Sequence, residues 1–458
     1  MELFGTAGIR GDARKRVTPD LALSVGRAMA HEIRDRSESD GTRDELVVAR
    51  DGRTTGTALV AAVEAGATSG GVQVRRAGQQ PTPTLAFASR GRYGLQVTAS
   101  HNPPTDNGLK LFVDGSEFDG DAEGRIEASV AEGLDPVRWN EWGDSSSVDP
   151  LPAYRDAVGE FALGHGDPLA GQTVVVDCGN GMAARATPQV LRALGARVVA
   201  LNGNVDGHFP GRPSKPTPET LGDLMAFVAD ADDDVLGIAH DGDADRIVVV
   251  DAAGEVVHED TILAVLSEHY VRTADAVDPV VVTTPNASGR IDDRVEAAGG
   301  RVERVKLGSL HEGIASARAA GGDVVFAGEP WKHVHTAFGP WIDGVASAAV
   351  LSVLVADRGL AALREPVTER PYRKVSVDCP DEAKTGAMAT LGATLPEAYP
   401  EAAVETEYGV RLAFDDGSWV LVRPSGTEPY VRVYAESEDV DSLVGDVVGR
   451  VERAVAEV

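Results

Sequence analysis

Residues 235–251 read Val-Leu-Gly-Ile-Ala-His-Asp-Gly-Asp-Ala-Asp-Arg-Ile-Val-Val-Val-Asp. Two Val-rich runs flank a loop in which Asp241, Asp243 and Asp245 hold alternate positions. The runs predict strands over 235–239 and 247–251. The loop predicts an oxygen-only cation site of the kind that takes Mg²⁺ or Ca²⁺. An EF-hand is excluded, because Arg246 stands where that loop needs Gly and Ala252 where it needs Glu. The bland alternative is an acidic surface turn, and Asp232-Asp233-Asp234 just upstream has that character.

The same alternation of strand and helix extends outward in both directions. Upstream, strands are expected over 173–177 and 198–201, with helices over 183–194 and 220–229. Further back come strands over 46–49, 72–75 and 95–98 and a helix over 57–69. Downstream, a helix over 261–270 precedes strands over 280–283, 302–306 and 324–326. This pattern predicts α/β layers with helices covering sheets. The last segment differs, with strands over 374–377, 409–414, 419–423 and 430–435 and a helix from 437, an α+β pattern. Polar, Pro-containing breaks at 140–152, 251–261 and 364–373 suggest four units: 1–150, 151–252, 253–366 and 367–458.

Composition narrows the function. The 458 residues hold 72 Asp+Glu against 43 Lys+Arg, a formal net charge of -29. Such a surface repels nucleic-acid phosphates and anionic lipid, so neither is expected as a partner. A small anionic substrate held by a local Arg cluster stays open. Only seven of the cations are Lys, and excess carboxylate with scarce Lys predicts a halophilic, salt-adapted protein. The longest apolar run, 345–356, reads as a buried helix rather than a membrane span. The N-terminus lacks a signal-peptide pattern, so a cytoplasmic protein is expected. Cys178 and Cys379 form no CxxC motif.

Five further motifs invite chemistry. Thr98-Ala-Ser100-His101-Asn-Pro-Pro104 ends a strand. Adjacent strand residues face opposite sides, so His101 is no ready base for Ser100 unless the turn bends sharply. No GxSxG elbow occurs, and a serine that carries a phosphoryl group suits the segment better than an acyl-transfer nucleophile. A turn whose Ser and Asn cap backbone groups is the alternative. Arg423-Pro-Ser425-Gly426-Thr427-Glu-Pro429, with Arg432 beyond, suggests a phosphate cradle or else a plain hairpin loop. Gly5-Thr-Ala-Gly8-Ile-Arg10-Gly11 is Gly-rich with one Arg. Cys178-Gly-Asn-Gly181-Met-Ala-Ala184 mimics a dinucleotide fingerprint, but the acidic residue expected after the next strand is missing, Asn202 following Leu201. Gly328-Glu329-Pro-Trp331-Lys332-His333 mixes groups that read sugar hydroxyls, or else is a turn beside a buried Trp.

Together TASHNPP, DGDADR and RPSGTEP, in this order and spacing, resemble the α-D-phosphohexomutase superfamily of phosphoglucomutases, phosphomannomutases and phosphoglucosamine mutases. The resemblance runs from Phe4 to about Arg432. It implies three related α/β domains with mixed sheets and a smaller C-terminal α+β domain around a central cleft. It implies a phosphosugar mutase that interconverts sugar 1-phosphate and sugar 6-phosphate, of a hexose or hexosamine, through a sugar bisphosphate that also serves as activator. On this resemblance Ser100 is the phosphoserine, and Asp241, Asp243 and Asp245 hold one Mg²⁺ together with the Ser100 phosphate. Arg246 lies in the same loop near the phosphate, and Arg10 lies near the phosphoserine. His101 and Lys110 match groups for proton transfer and charge stabilisation. Arg423, Ser425, Gly426 and Thr427, with Arg432, match the loop holding the phosphate that is not being transferred. Gly328, Glu329 and His333 match the sugar-binding loop.

That loop departs from the family's Gly-Glu-x-Ser-Gly-His, since Trp331 replaces Ser and Lys332 replaces Gly. The departure bears on the sugar, and a pentose phosphate or an amino-sugar is conceivable. The same superfamily's phosphopentomutases and non-catalytic sugar-phosphate-binding relatives are therefore alternatives, although a non-catalytic relative would be expected to lose Ser100 or a metal Asp. A nicotinamide dehydrogenase lacks its acidic residue here, and a phosphatase would release inorganic phosphate. No oligomeric interface is legible.

Overall fold

The computed structural model describes residues 3–5, 8–231, 235–425 and 428–458. Its packing divides the chain into two compact units, one of residues 1–262 and 326–363, the other of 263–325 and 364–458.

The first unit contains two mixed sheets. In the larger, Ile9–Asp12 pairs with Asp106–Val113, followed by Arg92–Val97, Arg43–Arg50, Gln73–Gln79 and Ser145–Ser147. Alternation along Arg43–Arg50 sends Leu46 and Val48 to one face and Val47 and Ala49 to the other, and all four are buried. A strand apolar on both faces belongs at a sheet's centre. Helices Pro19–Asp40, Gly56–Ser69 and Gly120–Glu132 cover the first face through Met29, Ile33, Leu59, Val63 and Ile126. Leu85, Phe112 and Trp341 close the second.

The smaller sheet runs Val256–Val257, Val248–Val250, Val235–Ala239, Thr173–Asp177, Arg197–Leu201. Its last three strands are parallel, and Val248–Val250 turns back antiparallel on Val235–Ala239. The expected helix over 183–194 is split into a short 3₁₀ turn, Met182–Arg185, and a helix, Thr187–Ala193. Pro188 explains this, since it has no N–H to continue a helix and fits only a first turn. The apolar run at 345–356 lies within the buried helix Gly344–Arg358. Among the described residues no helix is long and apolar enough to cross a membrane.

In the second unit Pro279–Thr283 and Arg301–Arg304 pair in parallel, and helices Arg290–Ala297 and Leu310–Ala319 follow the α/β pattern. A five-stranded antiparallel sheet runs Tyr372–Asp378, Tyr430–Glu436, Trp419–Pro424, Val410–Ala413, Ala403–Glu405. Helices Asp381–Ala398 and Val440–Ala456 pack their Ala387, Leu391, Leu395, Val447 and Val451 on its apolar face.

Candidate active site

Ser100 follows the end of the central strand Arg92–Val97 and is buried. Its backbone is left-handed, φ 50°, a conformation that costs a non-glycine residue about 1 kcal/mol or more. The surrounding loop is held by Arg53, which is fully buried. One terminal nitrogen of its guanidinium donates to the carbonyls of Ser100 (2.9 Å) and Asn102 (2.7 Å). The other donates to Asp106 O (2.9 Å) and to Pro103 O. Asp51 fixes the guanidinium in turn, accepting from Nε at 3.0 Å. Thr98 Oγ1 donates toward Asp51 Oδ2 (2.8 Å) and accepts from Ser100 N (2.9 Å). Burial pushes the Asp51 carboxyl up to about 6, against the pull of Arg53. Neither Asp51 nor Arg53 was expected from the sequence. Their only signal is a short Asp-Gly-Arg after a buried strand.

The bend meets the condition set for His101. With Ser100 left-handed, the alternation of the strand is broken, and His101 Nδ1 comes within 3.4 Å of Ser100 Oγ. Burial, then Arg246 and Arg10, push His101 down to about 2, so the ring is neutral.

The acidic loop connects Val235–Ala239 to Val248–Val250 and meets the serine directly. Ser100 Oγ donates to Asp241 Oδ2 at 2.6 Å. A Cβ on Gly242 would stand 2.7 Å from Ser100 O, so only glycine permits this approach. Asp243 accepts from Thr82 Oγ1 at 2.6 Å, and Asp245 from Lys110 Nζ at 3.1 Å. Arg246 Nε lies 3.7 Å from both Asp241 and Asp245. All three aspartates are buried, and one oxygen from each lies within 4.8 Å of the others. Among the described residues, Asp243 Oδ1 and Asp245 Oδ1 are buried without a hydrogen-bond partner. Burial and the neighbouring Asp245 and Asp243 push Asp241 well above the usual carboxylate range. Asp245 is held well below it, because Lys110 and Arg246 outweigh its burial. Uncompensated buried carboxylate oxygens gathered on one point fit a hard divalent cation.

A second buried arginine steadies this loop. Arg212 donates to Asp177 Oδ2 and to His240 O, both at 2.6 Å. His240 donates from Nδ1 to Arg246 O (2.8 Å) and faces Thr187 Oγ1 with Nε2 (3.0 Å).

Lys110 lies on the strand Asp106–Val113 and pairs with Glu117 (3.2 Å) as well as Asp245. Burial alone would lower it, but Glu117 and Asp245 raise it, so it is held charged. Arg10 sits opposite Gly108 across the sheet, where a Cβ would meet its Cγ at 3.0 Å. Its Nε is buried with no hydrogen-bond partner among the described residues.

The Gly328–His333 segment is a hairpin in which Glu329 pairs with Lys332 across a Pro330-Trp331 turn. Trp331 has φ 71°, and its ring packs against the apolar cluster that contains Val248 and Val250, so it is a packing residue. Lys332 Nζ lies 3.3 Å from Glu329 Oε2. His333 is buried, with Nδ1 3.1 Å from Ser347 Oγ and its ring against Phe326. Arg10, Ser100, His101, Lys110, the three aspartates and Arg246 are thus brought together, whereas His333 is buried and Trp331, partly buried, packs against the apolar cluster.

The expected phosphate cradle lies in the second unit. Gly426 and Thr427 lie outside the described residues. Arg423 and Arg432 are directly paired across two strands. Like charges so placed repel unless something compensates. Arg423 reaches Tyr434 OH (3.2 Å), while Arg432 reaches Glu428 (3.0 Å) and Tyr430 OH (2.8 Å). Burial alone would raise the Tyr434 phenol, but Arg423, Arg432 and Lys374 hold it below its usual range. Lys384, unforeseen in the sequence, donates to the carbonyls of Ser425 and Glu428, both at 2.7 Å.

Comparison with known proteins agrees with this geometry. The family models for phosphoglucomutase/phosphomannomutase match here: alpha/beta/alpha domain I at residues 1–135, domain II at 152–254 and the C-terminal domain at 375–454. The chain is 41% identical over 446 residues to a phosphopentomutase of Thermococcus kodakarensis, covering 95% of this chain and 94% of that one. It is 40% identical over 468 residues to a probable phosphoglucosamine mutase of Methanopyrus kandleri, covering 99% of each. The solved structure of a phosphoglucomutase/phosphomannomutase family protein from Burkholderia thailandensis superposes with a TM-score of 0.82 at 26% identity, covering 98% of this chain and 96% of that one. With three family domains matched and relatives at this identity along nearly its whole length, the chain belongs to the α-D-phosphohexomutase superfamily and is a phosphosugar mutase, an isomerase.

Proposed function

We propose that Ser100 carries the phosphoryl group in an exchange between the C1 and terminal hydroxyls of a hexose or hexosamine. The observation that carries this reading is the 2.6 Å hydrogen bond from Ser100 Oγ to Asp241, within a buried acidic triad that has two oxygens without a hydrogen-bond partner among the described residues. Asp241, Asp243 and Asp245 would hold Mg²⁺, whose charge would offset that of the group in transfer. Arg10, Lys110 and Arg246 add fixed positive charge around the serine, and phosphoryl transfer depends chiefly on such neutralisation and on positioning. In the first half-reaction the Ser100 Oγ–P bond breaks as a bond forms from phosphorus to a sugar oxygen. The hydroxyl proton passes to a neighbouring base, and neutral His101 offers a ring nitrogen for it. The bisphosphate then turns, and its other phosphate returns to Ser100. Arg423, Ser425 and Arg432, with Gly426 and Thr427, hold whichever phosphate is idle, and Gly328, Glu329 and Lys332 face the sugar. A trace of sugar bisphosphate primes the cycle.

The division into domains 1–150, 151–252, 253–366 and 367–458 belongs to this reading, as does a cytoplasmic, salt-adapted setting, which the net charge of -29 supports. A pentose phosphate is a second reading, favoured by the bulky Lys332 at a position where the family carries Gly. Phosphorus NMR with Mg²⁺ and molar KCl tests the proposal on a panel of glucose, mannose, glucosamine and ribose 1-phosphates. One ester resonance is expected to move to the terminal-hydroxyl position, with phosphate on Ser100 by mass spectrometry. Stoichiometric release of inorganic phosphate would overturn it.

A further inference from the structure

The Glu329–Lys332 hairpin carries an inference about which sugars enter, and it rests on the reading that the sugar phosphate meets Ser100 in this unit. The turn between them holds Trp331 with a left-handed backbone. Its ring is anchored in the apolar cluster of the neighbouring sheet, and its carbonyl accepts from Ile247 N at 3.1 Å. With Trp331 fixed, the next residue, Lys332, forms a backbone bridge with Arg246, the residue directly after the acidic triad. Lys332 is therefore placed by the fold, not by the length of its own side chain. Its ammonium lies 3.3 Å from Glu329 Oε2, and both side chains are nearly buried, at 13% and 12% exposure. The Lys332 charge is felt at Asp245 and at His101, so it belongs to the same electrostatic site as Ser100.

Two consequences follow from charge alone. Glu329, the carboxylate of this hairpin, already has a fixed cation. The acidic triad at the serine is committed to the cation site, and the other charged side chains around it, Arg10, Lys110 and Arg246, are positive. A sugar ring that carries its own ammonium would meet Lys332 and find Glu329 engaged. We propose that Lys332 is a specificity-determining residue that admits sugar phosphates with an uncharged ring and rejects aminosugar phosphates. Rejection by a placed like charge is an effective form of discrimination, because it costs the correct substrate nothing. Two unit charges several ångströms apart, at the effective dielectric of a partly buried site, repel strongly enough for a discrimination of about tenfold or more.

Glucose 1-phosphate and glucosamine 1-phosphate form the test pair, since they differ only in a hydroxyl against an ammonium on the ring. Both kcat/KM and calorimetric Kd are measured on the natural protein and on Lys332→Met, which keeps the length of the side chain and removes its charge. The natural protein is expected to favour glucose by tenfold or more, and Lys332→Met to shrink that ratio at least fivefold in both readouts. Raising the pH through the titration of the aminosugar should narrow the ratio on the natural protein, which needs no variant. A natural protein that favours glucosamine overturns the proposal, as does a ratio unmoved by both Lys332→Met and pH. Turnover without the expected shift defeats this inference alone. A shift in Kd with no turnover of any sugar defeats the mutase cycle alone.

Discussion

The serine and acidic loops of the first unit and the arginine loop of the second both handle charge, but they are built in opposite ways. Around Ser100, attraction is tied down. Arg53 binds four carbonyls of one loop, Arg212 locks the other, and Lys110 is held between Glu117 and Asp245. Around Arg423, repulsion is left in place. Two guanidiniums face each other across a strand pair, joined mainly to phenols and to an exposed Glu428. The first arrangement costs little reorganisation when charge develops. The second keeps two like charges together, which suits the anion-holding role proposed for it.

The sharpest way to break this contrast is at the serine. Ser100→Ala should lower kcat by at least about 10⁴-fold, while a bisphosphate still binds. A variant that turns over normally would leave the closed region without a chemical role. The next largest effect should come from Arg53. Arg53→Met removes the donors that hold the left-handed turn, and a displaced reacting atom costs about 10²-fold in kcat. It also leaves Asp51 buried without its partner, a loss of about 3–5 kcal/mol in stability. Arg53→Met combined with Asp51→Asn separates the two effects, with thermal stability recovering and kcat staying low. Recovery of both would make Arg53 a support for the fold and nothing more. Arg432→Gln should act more gently and in the other parameter. KM should rise about tenfold with kcat within a few-fold, because an idle phosphate is bound equally in ground and transition states. A fall in kcat alone would place the arginine loop with the reacting atoms.

The sequence revealed those parts of the site whose chemistry is local. Asp241, Asp243 and Asp245 announce themselves by alternation in one loop, and the strands on either side follow from runs of Val. The helical core position of 345–356 follows from its length and apolarity. What the sequence did not reveal depends on contacts across long separations. Arg53 serves carbonyls about 50 residues away, and Lys384 serves carbonyls about 40 away; each sits in a segment with no motif of its own. The reach of His101 toward Ser100 hung on whether the turn bends, which the sequence did not decide. A single positive φ overrides strand alternation, and only the clamp around Ser100 makes that φ tolerable. For Trp331 the sequence left a sugar contact and a Trp buried beside a turn both open, and the turn packs it, partly buried, against the Val248 and Val250 cluster.

The smallest expected effect asks whether the tied-down region also relies on groups held neutral. His333 is buried, and with Ser347 Oγ donating to Asp343 O the ring is assigned its N–H on Nδ1, facing that oxygen, which also meets His335 Nε2 at 2.8 Å. His333 Nε2 then carries a lone pair with no partner among the described residues. Burial pushes this histidine down to about 3, far below the usual value of about 6.5. Between these values the unfolded chain binds more protons than the folded one, so stability is full above about pH 6.5 and is lost as the pH falls toward 3. From pH 7 to pH 5 the loss should be about 2 kcal/mol from this residue. His333→Gln cannot take up the proton, so its unfolding free energy should fall less steeply over the same interval, whatever its absolute stability. Denaturant unfolding at a series of pH values in constant salt reads the slope directly. Equal slopes would mean that a proton reaches His333 without unfolding the unit, and that the hairpin behind Glu329 and Lys332 is as open as the arginine loop.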